Sequence, residues 1–205
     1  MLALKKVTLV SIVTRQHAAG RAAIDDCLKQ ATFDGVIVFT DQPDYFRGLG
    51  CSIVEPREYR QWCCWRLIEM PKHRDKFAGH ILFVESDAAI VKPEAWTKAF
   101  LEFDYIGAPW TDGVQGNGGF TLMSQKLLAE LKTLNIPATV TACNPSDYKI
   151  CRVYRRYLEA QGVKFAPLEV AQKFSSEQGP YTQSFGVHSY RGCQQKVIDE
   201  HKKFH

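Results

Sequence analysis

The 205-residue chain contains no stretch approaching the roughly 18 to 20 uninterrupted apolar residues that a membrane-spanning helix requires. Its opening, Met1-Leu2-Ala3-Leu4-Lys5-Lys6, runs straight into an apolar β-like segment, without the charged start, long apolar middle and small-residue cleavage site of a secretory signal. A cytoplasmic location is therefore expected. Zinc-type C-x-x-C spacing is missing, and the seven cysteines are an odd number. Cys63 and Cys64, adjacent in an expected helix, cannot readily bridge each other, so reduced thiols account for them best. Also missing is the dense basic patch of a dedicated nucleic-acid binder, since 26 Lys and Arg against 22 Asp and Glu leave a net charge of +4. That mild excess favours anionic ligands, and phosphate is enough to account for it. The densest basic cluster, Arg152, Arg155 and Arg156, has helical spacing and reads as a solvated face ahead of a binding surface. With no internal repeat, low-complexity tract or linker, one domain over residues 1–205 is expected.

What is present is the balance of a globular protein, 45% hydrophobic and 23% charged. Val7–Thr14 is β-branched and aliphatic, the pattern of a strand buried on both faces. Ala19, Ala23, Ile24, Cys27, Leu28 and Ala31 then share a helical stripe, and 35–41 returns as a second buried strand. A weaker third strand at 51–54, a helix around Tyr59 to Met70 with Trp62 and Trp65, and a fourth strand at His80–Val84 continue the alternation. Such order predicts an α/β fold, a mostly parallel sheet flanked by helices, with ligands beyond the carboxyl ends of its strands. Beyond Asp87 the chain turns to loops rich in Pro, Gly and Trp, where function is expected to concentrate. Two helices follow, one with Leu127, Leu128, Leu131 and Leu134, the other after Asn144-Pro145 with Ile150, Cys151, Tyr154, Tyr157 and Leu158.

Glu85 and Asp87 end the fourth strand at i and i+2. In extended backbone they point to one side and can share a hard cation through oxygen ligands, although a solvated strand end has the same appearance. Asn117 stands among Gly116, Gly118 and Gly119, which can adopt positive φ and leave amides free for sugar hydroxyls or phosphate; a plain hairpin turn is the competing reading. Trp110 can stack on a sugar or serve the core. Asp147 fits helix capping, with Asn144 as N-cap and Pro145 at the first helical position. It also lies on the apolar stripe of Cys151, Tyr154 and Leu158, where an inward carboxylate could accept a proton. Glu177 is the rival acid or base.

Four segments carry a resemblance. Phe103-Asp104-Tyr105-Ile106-Gly107-Ala108-Pro109-Trp110 comes first, then Gly116-Asn117-Gly118-Gly119-Phe120-Thr121-Leu122. Phe165-Ala166-Pro167 with Phe174-Ser175-Ser176-Glu177, and finally Phe185-Gly186-Val187-His188, complete the set. In order and spacing they resemble a family of GT-A-like glycosyltransferase domains. The resemblance implies a GT-A-like (Rossmann-like) fold, a nucleotide-diphospho-sugar donor, Mn²⁺ or Mg²⁺, and sugar transfer to an acceptor hydroxyl. The acceptor could be a saccharide, a protein or a hydroxymethylated base in DNA. In that family an amide often stands where this chain has Glu85, so the metal role carries over to Asp87, with Glu85 either supporting the metal's ligands from behind or contacting the sugar. The resemblance further implies that His188 completes the metal shell or touches the diphosphate, and imidazole suits Mn²⁺ better than Mg²⁺. Thr14 and Arg15, leaving strand one, fall where such enzymes hold the nucleotide, and Asp41, leaving strand two, could meet ribose or base. A non-catalytic carbohydrate- or nucleotide-binding module and a nucleotidyltransferase remain alternatives.

Overall fold

The computed structural model describes residues 1–55, 65–114, 116–134, 136, 145–177 and 183–189. Tyr59, Trp62, Cys63, Cys64, Asn144, His201 and His205 lie outside these.

β1 (Leu2–Val13) and β2 (Ala31–Thr40) pair in parallel around the first helix, α1 (His17–Gln30). β3 (Ser52–Val54) adds to β2, and β4 (His80–Val84) adds to the opposite edge of β1, both parallel. The sequence-predicted strands are all present, and β1 starts five residues earlier than expected because Leu4 and Val7 are already buried. Ala31, expected on the helical stripe, instead opens β2. The buried face of α1 is Gly20, Ala23, Ile24 and Cys27, and Gly20 brings the helix so close to β1 that a Cβ there would overlap the Val13 side chain.

Past β4 the chain forms β5 (Ala89–Ile90), β6 (Tyr105–Ile106) and β7 (Phe120–Met123). β7 runs antiparallel between β4 and β6, giving a six-stranded sheet of order β3-β2-β1-β4-β7-β6. Alternate side chains feed two cores. On β4, Leu82 and Val84 pack with Ile24, Cys27, Phe120 and Phe174 on one face. Ile81 and Phe83 pack with Leu127, Leu128, Leu131 and Ile150 on the other. The period of two along the strands thus places a layer of helix on each side of the sheet.

Two helical stretches depart from expectation. Where a helix around Tyr59 to Met70 was expected, the described part is a π-helical turn, Trp65–Glu69, followed by one short turn, Met70–Lys72. After Pro145, which caps rather than begins the helix, the chain makes one α-turn (Ser146–Tyr148), a π-helical turn (Lys149–Val153) and the helix Arg155–Ala160. Tyr148 and Tyr157 remain exposed, while Ile150, Cys151 and Leu158 are buried as the stripe predicts. No described helix is long and apolar enough to cross a membrane.

A second sheet of three strands brings the end of the domain back to β4. β8 (Ser175–Ser176) lies parallel to β9 (Gly186–Val187), and β9 pairs antiparallel with β5. The carboxyl ends of β8 and β9 therefore meet the amino end of β5, the end nearest Asp87.

Candidate metal centre and nucleotide cleft

β1 and β4 are neighbours in the sheet, yet the chain leaves β1 for β2 on one side and reaches β4 by way of β3. This reversal of strand order opens a crevice at their carboxyl ends, where α/β sheets bind ligands. A cleft of about 410 Å³ fills it, lined by residues 12–16 from the end of β1 and by Phe83, Glu85, Ser86 and Asp87 from the end of β4. Thr14 and Arg15 thus stand in the cleft with the acidic pair. Asp41 does not line it and accepts a hydrogen bond from, or pairs with, His17 Nε2 at 2.8 Å.

Two strand ends deliver the side chains that could hold a metal, Glu85 and Asp87 after β4 and His188 after β9. Val187 pairs with Ala89 and with Ser176, so His188 emerges from β9 beside the residues preceding β5 and following β8. His188 Nε2 lies 3.3 Å from Asp87 Oδ1 and 3.4 Å from Glu85 Oε2. The ligand atoms of Glu85, Asp87 and His188 all fall within 4.8 Å of one another, the one such grouping among the described residues. On the other side of the ring, Nδ1 is 2.8 Å from Asn117 Oδ1 and 3.0 Å from Glu177 Oε1. Both partners accept, which fixes the proton on Nδ1 and leaves Nε2 to face the two carboxylates. Two hard oxygens and one imidazole nitrogen, with an outer oxygen orienting the ring, are a donor set suited to Mn²⁺ or Mg²⁺. Without a cation, burial would lower the imidazole pKa, but the hydrogen bonds to Asp87, Glu177 and Glu85 outweigh it and raise it to about 11. The cluster thus holds one positive charge in place by local excess of negative charge.

The glycine loop works differently from the sequence expectation. None of Gly116, Gly118 and Gly119 has positive φ. Their amides are engaged: Gly116 and Asn117 donate to the Ala108 carbonyl, Gly118 to Asp147 Oδ2 at 3.0 Å, and Gly119 to Asn117 Oδ1 at 3.1 Å. What the glycines supply is room. A Cβ on Gly119 would overlap the His188 ring, and one on Gly118 would overlap the Arg66 guanidinium. Antiparallel pairing of β4 with β7, extended by Glu85 N donating to Gly119 O at 2.9 Å, brings the loop alongside the acidic pair. Trp110 is partly buried against Gly116, with the Arg152 guanidinium 5.1 Å over its ring, and does not line the cleft.

Asp147 faces inward, as its stripe predicts. Besides Gly118 N, its carboxylate accepts the Tyr148 amide at 2.9 Å. Burial raises its pKa above the usual carboxylate value, opposed by the nearby Arg66 charge and the Tyr148 and Gly118 hydrogen bonds. Glu177 sits behind the imidazole, its Oε2 buried with no hydrogen-bond partner among the described residues. Sequence reasoning missed Arg66, which is fully buried, donates from Nη1 to Gly118 O at 2.6 Å and lies 4.4 Å over the Phe83 ring. Its position four residues before the buried Met70 was the available signal.

Sheet order, reversed seventh strand and strand-end acidic pair define a GT-A-like α/β fold. The structure is similar to that of the mannosyltransferase PcManGT from Pyrobaculum calidifontis, solved in complex with GDP-Man and Mn²⁺, with TM-score 0.56 and 12% identity over 79% of this chain. This chain spans about half, 54%, of that protein. It is also similar to a glycosyltransferase involved in the glycosylation of the major capsid of PBCV-1, with TM-score 0.54, 13% identity, and coverage of 97% of this chain and 99% of that one. At these identities the likeness is one of fold. No curated protein matches the sequence. By its sequence the chain belongs to the family described as "Protein of unknown function (DUF5672)", whose model matches residues 69–188. That span begins at the π-helical turn before β4 and ends on His188, so it contains Glu85, Asp87, the glycine loop, Asp147 and the imidazole.

Proposed function

We propose that the chain is a single GT-A-like domain that transfers a sugar from a nucleotide-diphospho-sugar to an acceptor hydroxyl with the help of Mn²⁺ or Mg²⁺. The observation that carries this reading is the meeting of Glu85, Asp87 and His188 at the mouth of the cleft between β1 and β4. The same fold in two glycosyltransferases, one holding GDP-Man and Mn²⁺, supports it.

In this reading Thr14 and Arg15 contact the nucleotide, with the Arg15 guanidinium free to pair with a phosphate. Glu85, Asp87 and His188 hold the cation, and Asn117 and Glu177 keep the His188 ring turned toward it. Bound there, a divalent ion neutralises the charge that develops on the departing nucleoside diphosphate. In a direct displacement the acceptor oxygen bonds to the anomeric carbon, the bond from that carbon to the phosphate oxygen breaks with its electron pair, and the hydroxyl proton passes to Asp147. A half-buried carboxylate with a raised pKa is a better proton acceptor than a solvated one. Glu177, already engaged on Nδ1, serves by orienting the imidazole.

Mn²⁺ and a panel of nucleotide sugars, with melting temperature and released nucleoside diphosphate as readouts, test the proposal. Metal-dependent stabilisation with diphosphate release is expected, and Asp87→Asn should lower turnover by roughly two orders of magnitude or more with folding intact. Stabilisation without release would identify a binding module, and pyrophosphate release from a nucleoside triphosphate a nucleotidyltransferase.

A further inference from the structure

A second cavity, of about 420 Å³, shares no lining residue with the nucleotide cleft. Arg152, Arg155 and Arg156 line it over a floor that includes Cys151, Ala166 and Pro167. The guanidiniums are held on aromatic faces: Arg152 lies 5.1 Å over the Trp110 ring and Arg155 4.5 Å over the Phe165 ring. Stacking of this kind fixes the plane of a guanidinium while its N–H edge stays available for a bidentate anion. Arg152 pairs with Asp112, and Arg155 with Glu159 at 2.8 Å, but both acids are about half exposed and such surface pairs are weak. Arg156 has no hydrogen-bond or ion-pair partner among the described residues. Three cations against two acids leave the cavity with an unbalanced positive charge, and the volume is that of a small-ligand site.

The cavity also lies close to the chemistry. Val114 lines it, and Asn117, only three residues on, touches His188; three residues of extended chain span at most roughly 11 Å. Cys151 lines it too, four residues beyond Asp147 on the same helical stretch, and its Sγ is 3.9 Å from the Gly116 carbonyl. We propose that this cavity is an acceptor subsite for an anionic saccharide, its arginines gripping a carboxylate or phosphate while the acceptor hydroxyl reaches Asp147. Its role as an acceptor site rests on the transferase reading above; its binding chemistry does not.

The test titrates metal-free protein with glucose 6-phosphate, glucuronate and glucose, following binding by calorimetry and ligand-observed NMR. Saturable binding is expected for one or both anionic sugars, phosphate and carboxylate being separated by these two arms, and none for glucose. Arg155→Gln and Arg156→Gln should each weaken binding roughly tenfold, as loss of a charge-assisted hydrogen bond implies. Asp87→Asn should leave it unchanged. Equal binding by wild type and Arg156→Gln, competition by a nucleotide sugar with Mn²⁺, or no binding of either anionic sugar would overturn the proposal. Mn²⁺-dependent stabilisation by nucleotide sugars, measured in parallel on Arg156→Gln, keeps the two readings apart. If wild type lacks that stabilisation yet binds the sugar acid through the arginines, the transferase reading fails and the anion site stands.

Discussion

His188 gives one ring nitrogen to Asn117 and Glu177 and turns the other toward Glu85 and Asp87. This division of labour makes Asn117 a positioning residue whose loss should be felt through the imidazole. Asn117→Ala is expected to weaken Mn²⁺ affinity by 10- to 100-fold, about the effect of removing an outer-shell hydrogen bond from a ligating histidine. A manganese titration followed by electron paramagnetic resonance measures it, and an unchanged affinity would show that Glu177 alone orients the ring. Glu85 and Asp87 stood out in the sequence as carboxylates following an apolar run, but the strand stops at Val84, and a turn in which Ala88 N donates to Glu85 O at 3.1 Å, not extended backbone, carries them to His188. For Asp147 the sequence left capping and an inward position open, and the hydrogen bond from Gly118 N decides for the inward one. Glu177's place behind the imidazole could not be read, because that depends on the pairing of β8 with β9, two-residue strands with no periodicity of their own.

At the scale of the element, the small sheet and the glycine loop form one packed unit around Phe120. A Cβ on Gly186 would strike the Phe120 ring, so Gly186→Ala should destabilise the protein by roughly 1–3 kcal/mol, the usual cost of overpacking, in a denaturant titration. Gly119→Ala meets the His188 ring instead, and its expected signature is loss of Mn²⁺ binding out of proportion to loss of stability. If both variants lost only stability, the close approach of loop and imidazole would be a packing feature alone. The glycines were visible in the sequence, but their purpose was not. Positive φ is a local property that sequence can suggest, whereas room for a side chain arriving from 69 residues further along the chain exists only in the folded molecule.

For the molecule as a whole, pH and ligand each act on the folding equilibrium. Burial lowers the pKa of His80, and burial together with the Lys76 charge lowers that of His73. In both cases the unfolded chain takes up a proton at a higher pH than the folded one, so stability is full above the unfolded pKa near 6.5 and falls as pH drops below it. Through these two histidines melting temperature should fall from pH 7 to pH 5, opposed by His188, whose raised pKa adds stability as pH drops, so His73→Gln with His80→Gln should shift the pH slope of Tm toward greater stability at pH 5. An unaltered slope would assign it to other groups. Ligand acts in the opposite direction. On the proposed reading, Mn²⁺ with a nucleotide sugar at 100 times Kd would contribute about 2.7 kcal/mol. For a chain of this size that corresponds to a rise in Tm of roughly 5–10 °C. Asp87→Asn should lose the rise, and its persistence would place the cation elsewhere.

The existence and parallel sense of strands β1 to β4, and the presence of two carboxylates just after β4, were determined by the sequence alone, because buried strands such as β2 and β4 read as apolar runs and the intervening helical stretch leaves few competing arrangements. Only the tertiary structure decided that Arg66 is buried beneath the glycine loop and that Arg152, Arg155 and Arg156 border a cavity. It also decided that Asp87 and His188, 101 residues apart, share one site. Each of these is a contact between distant segments, set by which strand ends the two sheets bring together, and local patterning carries no information about that.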